Sequence, residues 1–108
     1  MCLVALAWNV HPRWRLVLAG NRDEFHARPT APLSTWADKG LMAGRDLKSG
    51  GTWVGLGPRG RVAVITNVRD GLVPAFAGPS RGALPVDFLG GDAASLDHAA
   101  TLAAVAGD

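Results

Sequence analysis

The stretch that decides the fold is residues 2–19, CLVALAWNVHPRWRLVLA. Two runs rich in valine, leucine and tryptophan, residues 2–8 and 14–19, flank a short segment that contains Pro12. Apolar runs separated by a few turn-forming residues predict a β-hairpin. Because the first run is apolar at every position, its strand is expected to be covered on both faces, as in a sandwich of layers.

Further strands are expected before the end of the chain. Residues 21–38 are rich in charge and contain two prolines, each of which biases its predecessor away from helix, so we predict a long loop there. Short strands are predicted at residues 41–43, 52–56 and 61–67, the last two forming a second hairpin.

Two helices are predicted after these strands. The first begins at Ser80 and the second is capped by Asp92. The positions predicted to be buried are Leu84, Phe88 and Leu89 in the first helix and Leu96, Ala100 and Ala103 in the second. Strands followed by helices favour an α+β fold with an antiparallel sheet.

Length and composition predict one globular domain over residues 1–108, since 48% of the residues are hydrophobic and 19% are charged. The alanine-rich end stops without a closing turn or strand, which predicts a fragment truncated at its C-terminal end. The net charge of +2 comes from arginines spread without a cluster, so nucleic-acid binding is not expected.

Several other classes of protein are also not expected. The apolar run at residues 2–8 is too short to cross a membrane, so we predict no membrane insertion and a cytoplasmic location. A single cysteine and three scattered histidines indicate no disulfide scaffold, no metal site and no cofactor. Residues 55–60 match the dinucleotide pattern G-x-G-x-x-G, but a strand is predicted after them where that site needs a helix.

Cys2 is the candidate nucleophile. A small second residue permits removal of Met1, which would leave Cys2 with a free α-amino group. That group has a pKa of about 7.7 to 8.0, near enough to neutrality to act as a general base. A thiol with a pKa of about 8.5 becomes a better nucleophile beside a cation, so a positive group is expected near Cys2.

Hairpin geometry offers such a group. If Trp8 pairs with Trp14, then Cys2 lies opposite Gly20, and the residues that follow are close to the thiol. Arg22 could then reach a thiolate, and Asp23 could accept a hydrogen bond from the α-ammonium group. A one-residue change of register would move both side chains to other faces.

Each candidate also has an ordinary structural interpretation. Cys2 could be a small buried hydrophobe, and residues 21–24 a solvated turn with a local ion pair. Asn67 could donate to a developing oxyanion or cap a turn. Gly50 and Gly51 could let a ligand approach or simply form a turn, while Arg45 and Asp46 are interpreted as a surface ion pair.

The motifs together resemble those of the NRDE family, the transport and Golgi organisation protein family. They are Met1-Cys2-Leu3, Asn21-Arg22-Asp23-Glu24-Phe25, Arg28-Pro29, Gly44-Arg45-Asp46, Gly50-Gly51-Thr52-Trp53, Thr66-Asn67-Val68-Arg69 and Ser80-Arg81-Gly82. The resemblance implies a four-layer αββα sandwich of the N-terminal-nucleophile hydrolase type, as in choloylglycine hydrolases, of which this chain is the N-terminal part. In those relatives an N-terminal cysteine, an arginine and an aspartate form the active site, and Cys2, Arg22 and Asp23 occupy the matching places.

Two functions are expected. The first is an N-terminal cysteine hydrolase that cleaves a linear amide of a small-molecule substrate through an acyl-enzyme, with Cys2, Arg22, Asp23 and Asn67 as its catalytic residues. The alternative is a non-catalytic protein that binds or carries haem or an acyl-CoA-like, lipid-related ligand, since the resemblance links eukaryotic members to Golgi organisation and lipid and haem handling. The alanine, glycine and arginine bias is typical of a bacterial sequence, and assembly into a homo-oligomer is left open.

Overall fold

The computed structural model describes residues 2–67 and 78–105, which belong to two compact units. The first unit comprises residues 1–27 and 66–77, and the second comprises residues 28–65 and 78–108. Met1 and the residues after Asn67 in the quoted motif Thr66-Asn67-Val68-Arg69 lie outside the described residues.

The first unit contains the predicted hairpin. Strands β1 (Leu3–Trp8) and β2 (Leu16–Asn21) form an antiparallel two-stranded sheet. The predicted register is wrong by two residues, because Trp8 pairs with Leu16 and Gly20 pairs with Val4. Trp14 lies in the connecting loop, which the Asn9 N–H closes by donating to the Arg15 carbonyl over 2.8 Å.

The apolar side chains of β1 are not covered on both faces within the described residues. Leu3 and Leu6, which point to opposite faces, are 67% and 59% exposed. The expectation of a strand buried on both sides therefore fails for the part of the chain that the structure describes.

The second unit is built on a four-stranded antiparallel sheet of order β3-β4-β5-β6. Its strands are β3 (Thr30–Thr35), β4 (Met42–Asp46), β5 (Val54–Gly57) and β6 (Arg61–Val64). The loop predicted at residues 21–38 is thus partly a strand. Pro32 is tolerated there because β3 is an edge strand whose register shifts between Ala31 and Ser34.

The second predicted hairpin is present. One turn of 3-10 helix (Pro58–Gly60) joins β5 to β6, so the G-x-G-x-x-G pattern runs into a strand, as predicted. Strand β6 ends at Val64, however, and Asn67 lies three residues beyond it.

Two helices follow in the second unit, α1 (Ala83–Gly90) and α2 (Ser95–Val105), each starting three residues later than predicted. Ser80 precedes the cap position, and its hydroxyl accepts the Gly82 N–H over 3.2 Å. Pro85 lies in the first turn of α1, where a missing N–H breaks no hydrogen bond within the helix.

The core of the second unit forms between the sheet and α1. Its buried hydrophobic residues are Trp36, Leu41, Ala43, Val86 and Leu89, with Phe88 partly buried against them. Gly55 permits this packing, since a Cβ there would lie 3.0 Å from both the Ala43 and the Leu89 side chains. The predicted burial of Leu89 is confirmed.

The predicted buried face of α2 is wrong for the described residues. Leu96 is 85% exposed, and Ala100 and Ala103 are also exposed. His98 instead contacts the ring of Phe88, with 5.3 Å between the ring centroids. Helical periodicity located a helix but did not identify the side that packs.

Candidate functional site

The hairpin positions Cys2 directly before β1 and residues 22–24 directly after β2. Because Leu3 pairs with Asn21, the two ends of the hairpin meet at this point. The register differs from the predicted one by two residues, and an even shift leaves every side chain on its predicted face. The predicted proximity of Cys2 to the segment after β2 is therefore retained.

The Cys2 thiol contacts the backbone of Asp23. The Asp23 N–H donates to Sγ of Cys2 over 3.3 Å, and the cysteine is half-buried. This hydrogen bond fixes the position of the sulfur relative to the segment after β2. The thiolate is the form of a cysteine that reacts and binds metals. Sequence reasoning placed Asp23 near Cys2. The contact that it predicted, from the α-ammonium group to the Asp23 carboxylate, stays a prediction.

Asn21 links both sides of this site and was not among the residues predicted from sequence. Its Oδ1 accepts the Leu3 N–H over 3.1 Å, and its Nδ2 donates to Oδ1 of Asp23 over 2.6 Å. Only the correct register, with Leu3 opposite Asn21, would have suggested this role.

Arg22 and Glu24 form an ion pair beside the site. Nη2 of Arg22 lies 4.0 Å from Oε2 of Glu24, and their side chains are 17% and 15% exposed. Oε1 of Glu24 also accepts the Phe25 N–H over 3.0 Å. The local ion pair expected for residues 21–24 is present, but it is better shielded from water than a typical surface pair.

Asn67 is exposed and belongs to the same unit as Cys2. Among the described residues, no hydrogen bond joins Asn67 to Cys2. Its proposed oxyanion role stays a prediction.

Arg45 and Asp46 do not pair with each other in the way that the sequence suggested. Arg45 lies 3.4 Å from Asp38 and stacks over Trp36 at 4.1 Å, whereas Asp46 is buried and lies 2.7 Å from Nη2 of Arg28. The prediction of a surface pair is wrong because Asp46 ends β4 and turns inward.

The pKa of Asp46 reflects these contacts. Burial raises the pKa, but hydrogen bonds from Arg28, from the Lys48 N–H and from Ser49, with the nearby Arg28 charge, lower it more, to about 2. The same carboxylate orders the turn, since Oδ1 of Asp46 accepts the Lys48 N–H over 2.9 Å. Asp46 is therefore a carboxylate whose charge stabilises the local structure, through Arg28 and the turn that follows β4.

The described residues contain no group of three or more His, Cys, Asp or Glu side chains placed to hold a metal ion. No helix in the described part of the chain is long and apolar enough to cross a membrane.

Together the described elements define an α+β protein with a thiol-centred polar cluster where its first hairpin closes. A family profile described as Transport and Golgi organisation 2 matches residues 1–108, and the chain belongs to this family. The transport and Golgi organisation family expected from the motifs is thereby confirmed. The NRDE label, the likeness to N-terminal-nucleophile hydrolases and the αββα sandwich stay predictions.

Several curated animal relatives carry similar names. The chain is 34% identical over 106 residues to "Transport and Golgi organization protein 2 homolog" of Homo sapiens and 35% identical over 106 residues to its Bos taurus counterpart. Each match covers 91% of this chain and 38% of the relative. "Transport and Golgi organization protein 2" of Drosophila melanogaster is 38% identical over 64 residues, which are 53% of this chain and 23% of the relative. No solved structure matches.

Proposed function

We propose that this chain has a transport-related binding function and that the cluster around Cys2 is its ligand site. Family membership carries the proposal, because the human and bovine relatives are named for transport and Golgi organisation and not for a reaction. The ligand is haem or an acyl-CoA-like, lipid-related molecule. Haem is the sharper case to test, since one thiolate or imidazole is enough to hold its iron.

Haem binding is tested by titrating the protein with haem and recording the Soret band. We expect a band that is lost or shifted in Cys2→Ala or in His26→Ala, the exposed histidine that follows the site. His11→Ala is the matched control, because His11 is exposed in the hairpin loop and accepts the Arg13 N–H there. The absence of any band would remove haem as the ligand. The same band in all four proteins would show that haem binds away from Cys2 and His26.

A second function, amide hydrolysis, is favoured by the hydrogen bond from the Asp23 N–H to Sγ of Cys2. Once Met1 is removed, the α-amino group takes the thiol proton and the sulfur attacks the amide carbonyl carbon. The C–N bond breaks, the leaving amine takes that proton, and a thioester remains. Water then attacks the thioester, the C–S bond breaks, and the acid and the thiol are released.

Hydrolysis is tested with intact-mass measurements and an electrophilic acyl probe. We expect a mass without Met1, one acyl group per chain, and complete loss of labelling in Cys2→Ala, because the chain has one cysteine. A retained Met1 would end this mechanism. Labelling that persists in Cys2→Ala would place the reactive group elsewhere.

Measurement of substrate turnover then distinguishes amide hydrolysis from ligand binding. Release of free acid from amide substrates by the unmodified protein, and not by Cys2→Ala, would support hydrolysis. A labelled Cys2 without turnover would leave binding as the function of the site.

A further inference from the structure

We infer that Asn21 is the positioning residue of the Cys2 site. The inference rests on the proposal that Cys2 is the functional thiol, but it does not depend on whether the site binds a ligand or hydrolyses an amide. In this role Asn21 acts through its neighbours and not by binding a ligand itself. It acts by hydrogen bonding to Leu3, which follows Cys2 in the chain, and to Asp23, whose N–H contacts the sulfur.

The geometry closes a ring through the site. The Asn21 carboxamide holds the backbone of Leu3 on one side and the carboxylate of Asp23 on the other, over 3.1 and 2.6 Å. The Asp23 N–H returns to Sγ of Cys2 over 3.3 Å, and the peptide bond between Cys2 and Leu3 completes the ring. The Asn21 side chain therefore links Leu3, which follows Cys2 in the chain, to Asp23, whose N–H contacts the sulfur.

A carboxamide is the group that this position requires. It accepts and donates through adjacent atoms, whereas a carboxylate only accepts and an aliphatic side chain does neither. Aspartate at position 21 could still accept the Leu3 N–H, but it would put a second negative charge against Asp23, at a place where the present contact is 2.6 Å. Like charges this close disfavour ionisation of their neighbours.

Replacing a residue with a purely structural role changes stability, whereas replacing a positioning residue changes the reactivity of the site. Asn21 is exposed at the end of β2, and the hairpin pairs along the whole of both strands, so loss of its side-chain bonds should cost little stability. The geometry around the sulfur depends on Asn21 through Asp23, whose carboxylate Asn21 contacts and whose N–H contacts the sulfur. The reactivity of Cys2 should therefore change more than the melting temperature.

The test is the pH dependence of Cys2 alkylation by iodoacetamide, measured on the Met1-processed protein. The charged groups of this segment are Arg22, Asp23, Glu24 and the α-amino group. We expect Asn21→Asp to move the midpoint of the pH–rate profile up by about one pH unit, since it adds a negative charge to the ring. Asn21→Leu should slow alkylation at neutral pH at least about threefold by releasing the Asp23 N–H from the sulfur.

Ala19→Asp is the matched control. Ala19 is exposed on the same face of β2, two residues before Asn21 and opposite Ala5, so the variant adds the same charge outside the ring. Its midpoint should move by less than about 0.3 pH unit, as expected for a charge that water screens. Melting temperatures of all variants show whether the hairpin is folded.

The inference is overturned if both Asn21 variants keep the wild-type alkylation profile, or if Ala19→Asp shifts it as much as Asn21→Asp. It is also overturned if the reactivity changes only in proportion to lost folding. These outcomes are distinct from failure of the proposed function, because alkylation reports on the thiol even where Cys2→Ala changes neither haem binding nor hydrolysis.

Discussion

Replacing Arg28 by methionine is expected to lower the free energy of unfolding by about 3 kcal/mol at pH 7. The change leaves Asp46, which is 8% exposed, without the guanidinium that lies 2.7 and 2.8 Å from its Oδ2. Removing one partner of a buried ion pair leaves an uncompensated charge, which costs more than a surface pair contributes. Urea unfolding of both proteins at pH 7 measures the difference.

The effect of Arg28→Met should depend on pH. The pKa of Asp46 is lowered from 3.8 to about 2, so the native state binds fewer protons than the unfolded state between these values. The carboxylate therefore contributes about 2 kcal/mol to the free energy of unfolding above about pH 5. This contribution is lost progressively as the pH falls through 3.8 toward 2. The difference in the free energy of unfolding between wild type and Arg28→Met should decrease over the same pH range.

Arg81→Met is the matched control for charge. Arg81 is exposed, and its loss should change stability by less than about 0.5 kcal/mol at any pH. An Arg28→Met protein as stable as Arg81→Met, or a gap that stays constant down to pH 2, would show that Asp46 does not need its partner.

The sequence predicted the hairpin correctly because its signal is local. Apolar runs on both sides of a polar segment determine that two strands pair, but they do not determine which residues face each other. The loop runs to Arg15 because Asn9 takes a left-handed conformation with φ of 55°. Asparagine tolerates left-handed backbone angles, and the pattern of apolar residues does not indicate where they occur.

The errors in the second unit have a different physical origin. Pro32 favoured the prediction of a loop. On an edge strand with a register shift, however, its missing N–H carries no cost in stability. The burial of Asp46 depends on Arg28, which is 18 residues earlier in the chain and is brought to it by the pairing of β3 with β4. Local sequence patterns do not predict contacts that depend on the register between strands.

The candidate site was predicted in part for the same reasons. Proximity of Cys2 and Asp23 follows from the hairpin alone, and the two-residue shift of register preserved it. The pairing of Arg22 with Glu24 and the role of Asn21 depend on where side chains lie at the end of the hairpin, which local sequence patterns do not predict. Asn67 lies beyond the last residue of β6, so alternation along a strand does not determine its direction.

The second large effect is expected for Gly51→Ala, which should lower the free energy of unfolding by about 3 kcal/mol. A Cβ at Gly51 would lie 2.5 Å from the carbonyl carbon and 2.6 Å from the carbonyl oxygen of Gly82. Both are backbone atoms, so the segment before α1 would have to move, and overpacking of this kind costs about 1 to 3 kcal/mol or more. That movement would also break the hydrogen bond from the Thr52 N–H to the Gly82 carbonyl, now 3.1 Å long.

Gly90→Ala is the matched control, because Gly90 ends α1 and a Cβ there meets nothing within 4 Å. Alanine is the better helix former, so this variant should be unchanged or more stable by up to about 1 kcal/mol. Urea unfolding of the two variants beside the wild type gives both differences from one experiment. Equal stability of Gly51→Ala and wild type would mean that the backbone around Gly82 moves to make room for the added methyl group at little cost in free energy.

The Gly51→Ala result also decides between the two interpretations of the Gly50-Gly51 pair. Gly50 has a φ of +81°, which a turn requires, and the Gly51 carbonyl accepts the Asp46 N–H over 2.9 Å within that turn. The space that a side chain would occupy at Gly51 is already filled by the backbone of Gly82. A loss of stability in Gly51→Ala, without change in haem binding or Cys2 labelling of the folded protein, would establish the pair as a packing element and not a ligand loop.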